Sequence, residues 1–127
     1  MADLFRGYIA SKGKAPLASV KEKDKWLTEP PASGDYVGIL REDIIQIDFD
    51  DEKSARIAMD IVKEYKLRCD IIKTTRGIHL YFKNNDTIKS QGKWYTACGL
   101  ECDVGLGIKD CVTPLRRTKQ VTTTKFV

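Results

Sequence analysis

The segment from residue 44 to residue 50, Ile-Ile-Gln-Ile-Asp-Phe-Asp, constrains the fold more than any other part of this chain. Side chains on a β-strand point alternately to two faces. If the segment is a strand, one face is apolar and carries Ile45, Ile47 and Phe49. The other face is polar and carries Gln46, Asp48 and Asp50. The segment therefore predicts a strand that borders the core on one side and shows two carboxylates on the other.

Two later segments have the same alternation, each with an apolar and a polar face. In the segment 77–83 the apolar face carries Ile78, Leu80 and Phe82, and the polar face carries His79 and Tyr81. In the segment 100–105 the apolar face carries Leu100, Cys102 and Val104, and the polar face carries Glu101 and Asp103. If the three strands share a sheet, one surface collects the acids and the imidazole at Asp48, Asp50, His79, Glu101 and Asp103.

The elements around these strands predict an α+β fold. Tyr36–Leu40 and Cys69–Thr74 are strand-like, and Asp110–Pro114 predicts a further short strand. Asp50 or Asp51 can cap a helix after the first acidic strand. The apolar stripe of that helix is Ala55, Ala58, Met59, Val62 and Tyr65. We expect a mixed β-sheet with a core like that of the RNA-recognition motif, the helix packed on one face and the acidic and histidine face on the other.

The length of 127 residues predicts one domain. Residues 1–35 predict an N-terminal helix, from the spacing of Leu4, Phe5, Tyr8 and Ile9, followed by a loop rich in Gly, Pro and Lys. Residues 36–114 form the predicted sheet core and 115–127 a tail. The segment Thr75-Arg76-Gly77 is typical of a turn, in which the glycine is available for an unusual backbone angle.

Composition excludes several classes of protein. Charged residues make up 31% and apolar residues 42%, which is typical of a globular rather than a disordered chain. The net charge of +4 permits a nucleic-acid partner without requiring one. No segment predicts a membrane span or a signal peptide, so we expect a cytoplasmic protein. Four cysteines are present; zinc binding by Cys98, Cys102 and Cys111 is less favoured than plain core cysteines.

The acidic face suggests metal chemistry on phosphates. Carboxylates two apart on a strand repel one another, and hard oxygen ligands of this kind suit Mg²⁺ or Mn²⁺. A third carboxylate from another strand can complete a two-metal site for phosphoryl chemistry. Arg76, Lys73 and His79 can contact phosphates. The competing interpretation is that the acids are simply solvated at a strand end and that the histidine has a structural role.

The order of these motifs resembles the primase–polymerase domain of the archaeo-eukaryotic primase superfamily. The matching residues are the Asp-x-Asp strand at Asp48 and Asp50, the Gly-Ile-His strand at His79, and the hydrophobic-Asp strand at Asp103. The leader around Lys12–Pro16, Trp26 and Tyr36–Ile39 is similar to that of phage and plasmid members.

The resemblance implies metal binding by Asp48, Asp50 and Asp103, and contact of His79 with the phosphates of an incoming nucleotide. Arg76 and Lys73 are the further candidates for triphosphate contact. The implied activity is nucleotidyl transfer by a DNA primase or DNA polymerase with Mg²⁺ or Mn²⁺, in phage or plasmid replication. The implied partners are nucleoside triphosphates, a single-stranded DNA template with its primer, and a helicase domain or partner.

Two alternatives stay open at this point. Carboxylates with a histidine also serve a metal-dependent nuclease. A non-catalytic module like the RNA-recognition motif would instead stack bases on aromatic side chains of the exposed sheet face. Family members commonly have more chain after the third motif than the segment 109–127 offers, so the chain is expected to be a fragment of a longer replication protein or a minimal form.

Overall fold

A computed structural model describes residues 4–84, 86–115 and 122–126, the last range by its backbone alone. Within these ranges the chain folds as α+β, with strands in the majority. The elements are β1 Phe5–Lys12, β2 Ala15–Pro16, β3 Tyr36–Leu40, β4 Ile44–Phe49, the helix α1 Glu52–Glu64, β5 Cys69–Lys73, β6 Ile78–Lys83, β7 Gly92–Tyr95, β8 Glu101–Leu106, β9 Val112–Leu115 and β10 Thr122–Phe126. No helix among the described residues is long and apolar enough to cross a membrane.

The strands form two antiparallel sheets, where the sequence predicted one mixed sheet. The large sheet has the order β10-β5-β6-β4-β8-β7, and the small sheet has the order β2-β1-β3-β9. Every strand pairing in the described ranges is antiparallel. The prediction failed because β3 and β4, although consecutive, belong to different sheets, and β9 pairs with β3 rather than with β8.

The predicted strand faces are confirmed in the large sheet. The apolar residues of β4, β6 and β8 pack on the side of the sheet that α1 covers. Their shared core with the helix contains Ile45, Phe49, Ala55, Ala58, Val62, Ile78, Leu80, Cys102 and Val104. Ile47, Met59 and Phe82 pack against it. Gln46, Asp48, His79, Tyr81 and Asp103 consequently lie on the other face, as the period-two pattern predicts.

The helix is capped by Asp51, one of the two caps that the sequence predicts, and it ends one residue before Tyr65, the last position of the predicted stripe. The Asp51 carboxylate caps it by accepting a hydrogen bond of 2.7 Å from the Ser54 backbone N–H, and this bond lowers the pKa of Asp51. Tyr65 was predicted on the apolar stripe, but its side chain is exposed. The helix stops at Glu64, and Lys66 takes a positive φ of 52°. The chain therefore turns away, and Leu67 packs on the core instead.

The predicted N-terminal helix is wrong, because residues 5–12 form strand β1. The strand pairs with β3, and its register shifts between Phe5 and Gly7. This irregularity breaks the two-residue alternation, so the apolar positions acquire a spacing that resembles a helix. Leu4 and Ile9 are buried against residues far along the chain. Whether a short apolar segment of this kind forms a helix or a strand is determined by its tertiary partners rather than by local preference.

The polar face of the large sheet is partly covered, where the sequence predicted an open surface. Tyr81 is only 2% exposed and packs in a cluster with Leu4, Leu40 and Ile72, which lie in or beside both sheets. Gln46 of β4 and Thr113 of β9 are also buried. The small sheet therefore closes the part of this face that holds Gln46 and Tyr81.

Two edge strands of the large sheet were not predicted. The stretch between β6 and β8 was expected to be irregular, yet it contains β7, which pairs with β8. The predicted tail contains β10, which pairs with the free edge of β5. Both strands depend on a neighbour that offers unpaired backbone groups, a signal that local sequence does not carry. The rest of the predicted tail, including Arg116 and Arg117, and the turn residue Asn85 lie outside the described residues.

Gly77 holds the turn before β6 against the end of β4. A Cβ atom at this position would stand 1.7 Å from the Phe49 carbonyl oxygen and 3.1 Å from the Asp50 Cα atom. Gly77 does not adopt the unusual backbone angle that glycine makes available, since it is not among the described glycines with positive φ. The glycine is needed for close approach of two backbone segments.

We expect Gly77→Ala to lower the free energy of unfolding by at least about 2 kcal/mol, because the β4 and β6 backbones must move apart. Gly34→Ala is the control. That residue has a φ of 84° but nothing within 4 Å of its Cβ position, so only a backbone penalty of roughly 1 kcal/mol applies. Urea unfolding of both variants measures the difference. Equal losses would contradict the steric role of Gly77.

Candidate active site

Asp48 lies directly between His79 and Asp103 on three adjacent strands. Asp48 of β4 is the register partner of His79 in β6 and of Asp103 in β8. Lys93 of β7 is the next residue across the sheet, opposite Asp103. Directly opposed residues share a face, with Cβ atoms roughly 4.5–5.5 Å apart. We call His79, Asp48, Asp103 and Lys93 the site row.

The site row lies where the cover of the small sheet ends. The side chain of His79 is 12% exposed and that of Asp48 is 27% exposed. Asp103 and Lys93, further across the sheet, are exposed. The row therefore runs from a sheltered imidazole to open carboxylate and ammonium groups. Such an arrangement gives a ligand access from the β8 side while one end of the site is held rigid by packing.

His79 has a polar partner near each of its ring nitrogens. Its Nε2 atom is 3.4 Å from Asp48 Oδ1, and its Nδ1 atom is 3.1 Å from the Tyr81 hydroxyl oxygen. The Tyr81 hydroxyl donates to Gln46 Oε1 at 2.9 Å, and the Thr113 hydroxyl donates to the same oxygen. Burial raises the pKa of Tyr81 far above its ordinary value, so its side chain stays a neutral phenol. Sequence alternation identified the polar positions in β4 and β6 but not the partner Thr113.

Asp50 and Arg76 form a separate, exposed pair beside the row. Asp50 lies just beyond the end of β4, and its Oδ2 atom accepts a hydrogen bond of 3.1 Å from Arg76 Nη2. Both side chains are more than half exposed, at 65% and 72%. The contact of Gly77 with Phe49 and Asp50 brings the arginine to this place. Because the pair is solvated, either partner can turn to another ligand at little cost.

The structure does not bring Lys73 to this face. Lys73 is the register partner of Ile78, and Ile78 packs in the core under α1. Its neighbour Ile72, not Lys73, is opposite His79. The sequence prediction treated Lys73 as near His79 without knowing the register, and one residue of register reverses the face.

Lys93 and Tyr95 are polar neighbours of the site that sequence reasoning missed. The Lys93 ammonium lies 3.2 Å from Glu101 Oε1, and the Tyr95 hydroxyl donates to the same oxygen at 3.2 Å. The hydrogen bond to Glu101, with the charges of Glu101 and Asp103, raises the pKa of Lys93. The sequence signal is weak, because β7 has four exposed residues and no apolar alternation.

Cys98, Cys102 and Cys111 lie in three different environments. Cys102 is buried on the helix side of the large sheet, as predicted. Cys111 packs with the cluster on the opposite side, and its Sγ atom occupies the space beside Gly105. Burial raises the pKa of Cys111 to about 11, which keeps it a thiol. Cys98 is exposed in the loop before β8.

The carboxylates of the row fit a hard divalent cation. In the described part of the chain, no three His, Cys, Asp or Glu side chains are already gathered into a metal-binding group. Asp48 and Asp103 are nevertheless placed side by side on one face by the register. Mg²⁺ is commonly held by one or two carboxylates together with water and substrate phosphates, rather than by a preformed protein cage. Two opposed carboxylates are a donor set of that kind.

No protein-family model, curated protein or solved structure matches this chain at a significant level. Functional interpretation therefore depends on the geometry of the site row and its surroundings.

We expect Arg76→Ala to change the free energy of unfolding by less than about 1 kcal/mol, because its ion pair is solvated. Arg6→Ala is the matched comparison. The Arg6 guanidinium is 19% exposed, donates to the carbonyls of Leu40 and Gly107 and to Asp110, and stacks 5.2 Å from the centre of the Trp26 ring. Losing these contacts should lower stability by at least about 2 kcal/mol. Equal effects in urea unfolding would mean that the Arg76 pair is structural.

Proposed function

We propose that this chain is a metal-dependent nucleotidyltransferase of the primase–polymerase type, which starts or extends primers on a DNA template. The observation that carries the proposal is the site row, in which Asp48 stands in register between His79 and Asp103. Three sequence motifs that resemble those of the primase–polymerase domain are thereby adjacent in space, on one face of one sheet. If the three strands were not neighbours in the sheet, the same residues would not support a common site.

Asp48 and Asp103 are the proposed metal ligands, with Asp50 as the third. When bound, Mg²⁺ or Mn²⁺ would supply positive charge that stabilises the negative charge developing on the reacting phosphate. Asp48 is half-buried, and so its orientation is set by the sheet. Asp50 is exposed and paired with Arg76, so it joins the metal only by releasing the arginine. The release would leave Arg76 free to contact a phosphate.

His79 and Arg76 are the proposed contacts of the nucleoside triphosphate. The imidazole of His79 is held beside Asp48, at the sheltered end of the row. Arg76 lies in the turn before β6, next to Asp50. A guanidinium binds phosphate through paired N–H groups, and an imidazole N–H adds a directed hydrogen bond. Lys73 has no part in this proposal, because its register places it on the helix side.

The burial of Tyr81 favours catalysis over base stacking. A module that binds RNA in the manner of the RNA-recognition motif needs exposed aromatic side chains on the central strands. On β4, β6 and β8, the one aromatic residue of the site face is Tyr81, and it is covered. Exposed acids on the same face also repel a phosphate backbone unless a cation is bound. The outline of the large sheet, with α1 on the other face, is compatible with the core that this family shares with that motif.

The proposed substrates are nucleoside triphosphates and a primed single-stranded DNA template, with a helicase as a further partner. The direct experiment measures incorporation of labelled nucleotides on a primed template with Mg²⁺ or Mn²⁺. We expect activity in the wild-type chain and a loss of about 100-fold or more in both Asp48→Asn and Asp103→Asn, because each removes charge that holds the metal.

Asp60→Asn is the matched control for that experiment. Asp60 is an exposed carboxylate on α1, on the far side of the large sheet, so its loss should leave incorporation unchanged. Melting curves on each variant verify the fold. Cleavage of the primed template in place of extension would assign the same residues to a nuclease. Full incorporation by both site variants would contradict the proposal.

A further inference from the structure

The edge strand β7 leaves aromatic side chains exposed beside the site row. In the described part of the chain three aromatic residues are exposed, Tyr65, Trp94 and Tyr95, and the last two are consecutive on β7. The segment 89–95, Lys-Ser-Gln-Gly-Lys-Trp-Tyr, also contains two lysines and no acidic residue. Exposed aromatic rings together with positive charge are the combination that proteins use to bind single-stranded nucleic acid.

The register of β7 divides its side chains between the two faces of the large sheet. Lys93 and Tyr95 oppose Asp103 and Glu101 on the face of the site row. Trp94 opposes a residue that is buried on the helix side. The lysine and the tyrosine therefore share one surface with the carboxylates of the site. We call Lys93 and Tyr95 the edge pair.

Glu101 orients both members of the edge pair. Its Oε1 atom accepts a hydrogen bond of 3.2 Å from the Tyr95 hydroxyl and lies 3.2 Å from the Lys93 ammonium. The backbone before β7 is anchored as well, because the Gln91 side chain accepts a hydrogen bond of 2.8 Å from the Leu106 N–H. Tyr95 is nevertheless 67% exposed, so its ring is accessible to a partner.

We propose that the edge pair binds the single-stranded template beside the site row, with Tyr95 stacking on a base and Lys93 contacting a phosphate. Every base has an aromatic face, so stacking of this kind tolerates any sequence. Lys93 and Glu101 are both more than half exposed, and the ammonium can therefore turn to a phosphate at little cost. Binding of the strand is independent of catalysis, whereas its role as a template rests on the proposed function.

The spacing of the sheet fits this placement. Tyr95 is two residues along β7 from Lys93, about 7 Å, and neighbouring strands are about 5 Å apart. The backbones of Tyr95 and Asp103 are therefore roughly 8 Å apart. This distance corresponds to about two nucleotide steps, at about 3.4 Å for each step of a stacked strand. A base on Tyr95 would thus lie about two nucleotides from the carboxylates of the site.

Charge favours a nucleic acid over a protein strand at this edge. Glu101 and Asp103 of β8 repel phosphates, whereas Lys89 and Lys93 lie before and on β7. A single strand that places its phosphates at the outer edge and its bases toward the sheet avoids the acids. β7 ends the strand order of the large sheet and has only four residues. A lysine on such a short edge strand opposes pairing with a further protein strand.

Fluorescence anisotropy of a short labelled oligothymidylate, measured with Mg²⁺ and without nucleotide, tests the proposal. We expect Tyr95→Ala to weaken binding about tenfold, because stacking on one base is lost. Tyr95→Phe keeps the ring and should bind within about twofold of the wild type. Tyr65→Ala is the matched control and should leave binding unchanged. Tyr65 is 69% exposed, but it follows α1 on the other face of the large sheet.

The salt dependence of binding gives a second readout. Lys93→Gln should lower the slope of log affinity against log salt concentration by about 0.7, because one phosphate contact is lost. Lys63→Gln is the control, since Lys63 is an exposed lysine in the last turn of α1. Its slope should equal that of the wild type.

Melting curves verify that each variant is folded. An unchanged affinity in Tyr95→Ala, or a loss in Tyr95→Phe or Tyr65→Ala as large as in Tyr95→Ala, would overturn the proposal. Oligonucleotide binding as expected, without incorporation on a primed template, would leave the edge pair standing and refute the enzymatic proposal. Incorporation by the wild type, with unchanged oligonucleotide affinity in Tyr95→Ala, would refute the edge pair alone.

Discussion

The pairing of β4 with strands on both sides is the constraint on which the rest of the structure depends. β4 is antiparallel to β6 and to β8, and its register with both is continuous through Asp48. A slip of one residue would turn Asp48 into the helix-side core and bring Ile47 to the polar face. The core under α1 opposes this slip on one side, and the bonds of Gln46 to Tyr81 and Thr113 oppose it on the other.

The small sheet gives the polar face two different environments. Where β9 reaches the large sheet, Gln46 and Tyr81 are buried, and the Tyr81 hydroxyl donates to Gln46 Oε1. Asp48 and His79, each two residues away on β4 and β6, are partly open. The boundary between these regions passes through His79, one nitrogen of which faces the covered network and the other Asp48. A rigid interior and an accessible edge therefore meet at the residue proposed to contact phosphate.

Sequence alternation predicted the faces of β4, β6 and β8 correctly, because a core on one side of a sheet imposes a period of two. It also predicted a helix cap at Asp50 or Asp51, of which Asp51 is the cap, and the apolar stripe of α1 as far as Val62. The prediction failed where contacts with residues distant in sequence determine the local structure. β1 resembled a helix because of its bulge, Lys73 was placed without its register, and Tyr81 was expected to be exposed because nothing local predicts the cover from Thr113.

The central claim is that the site row binds a divalent cation between Asp48 and Asp103, beside His79. Mn²⁺ is paramagnetic and broadens the resonances of nuclei close to it, and the single imidazole offers an isolated signal. Titration of the wild-type protein with Mn²⁺ should broaden the His79 ring protons ahead of the Trp26 indole proton, which lies in the small-sheet cluster. Asp103→Asn should remove this preference. Equal broadening of both signals, or preferential broadening that survives in Asp103→Asn, would contradict the account.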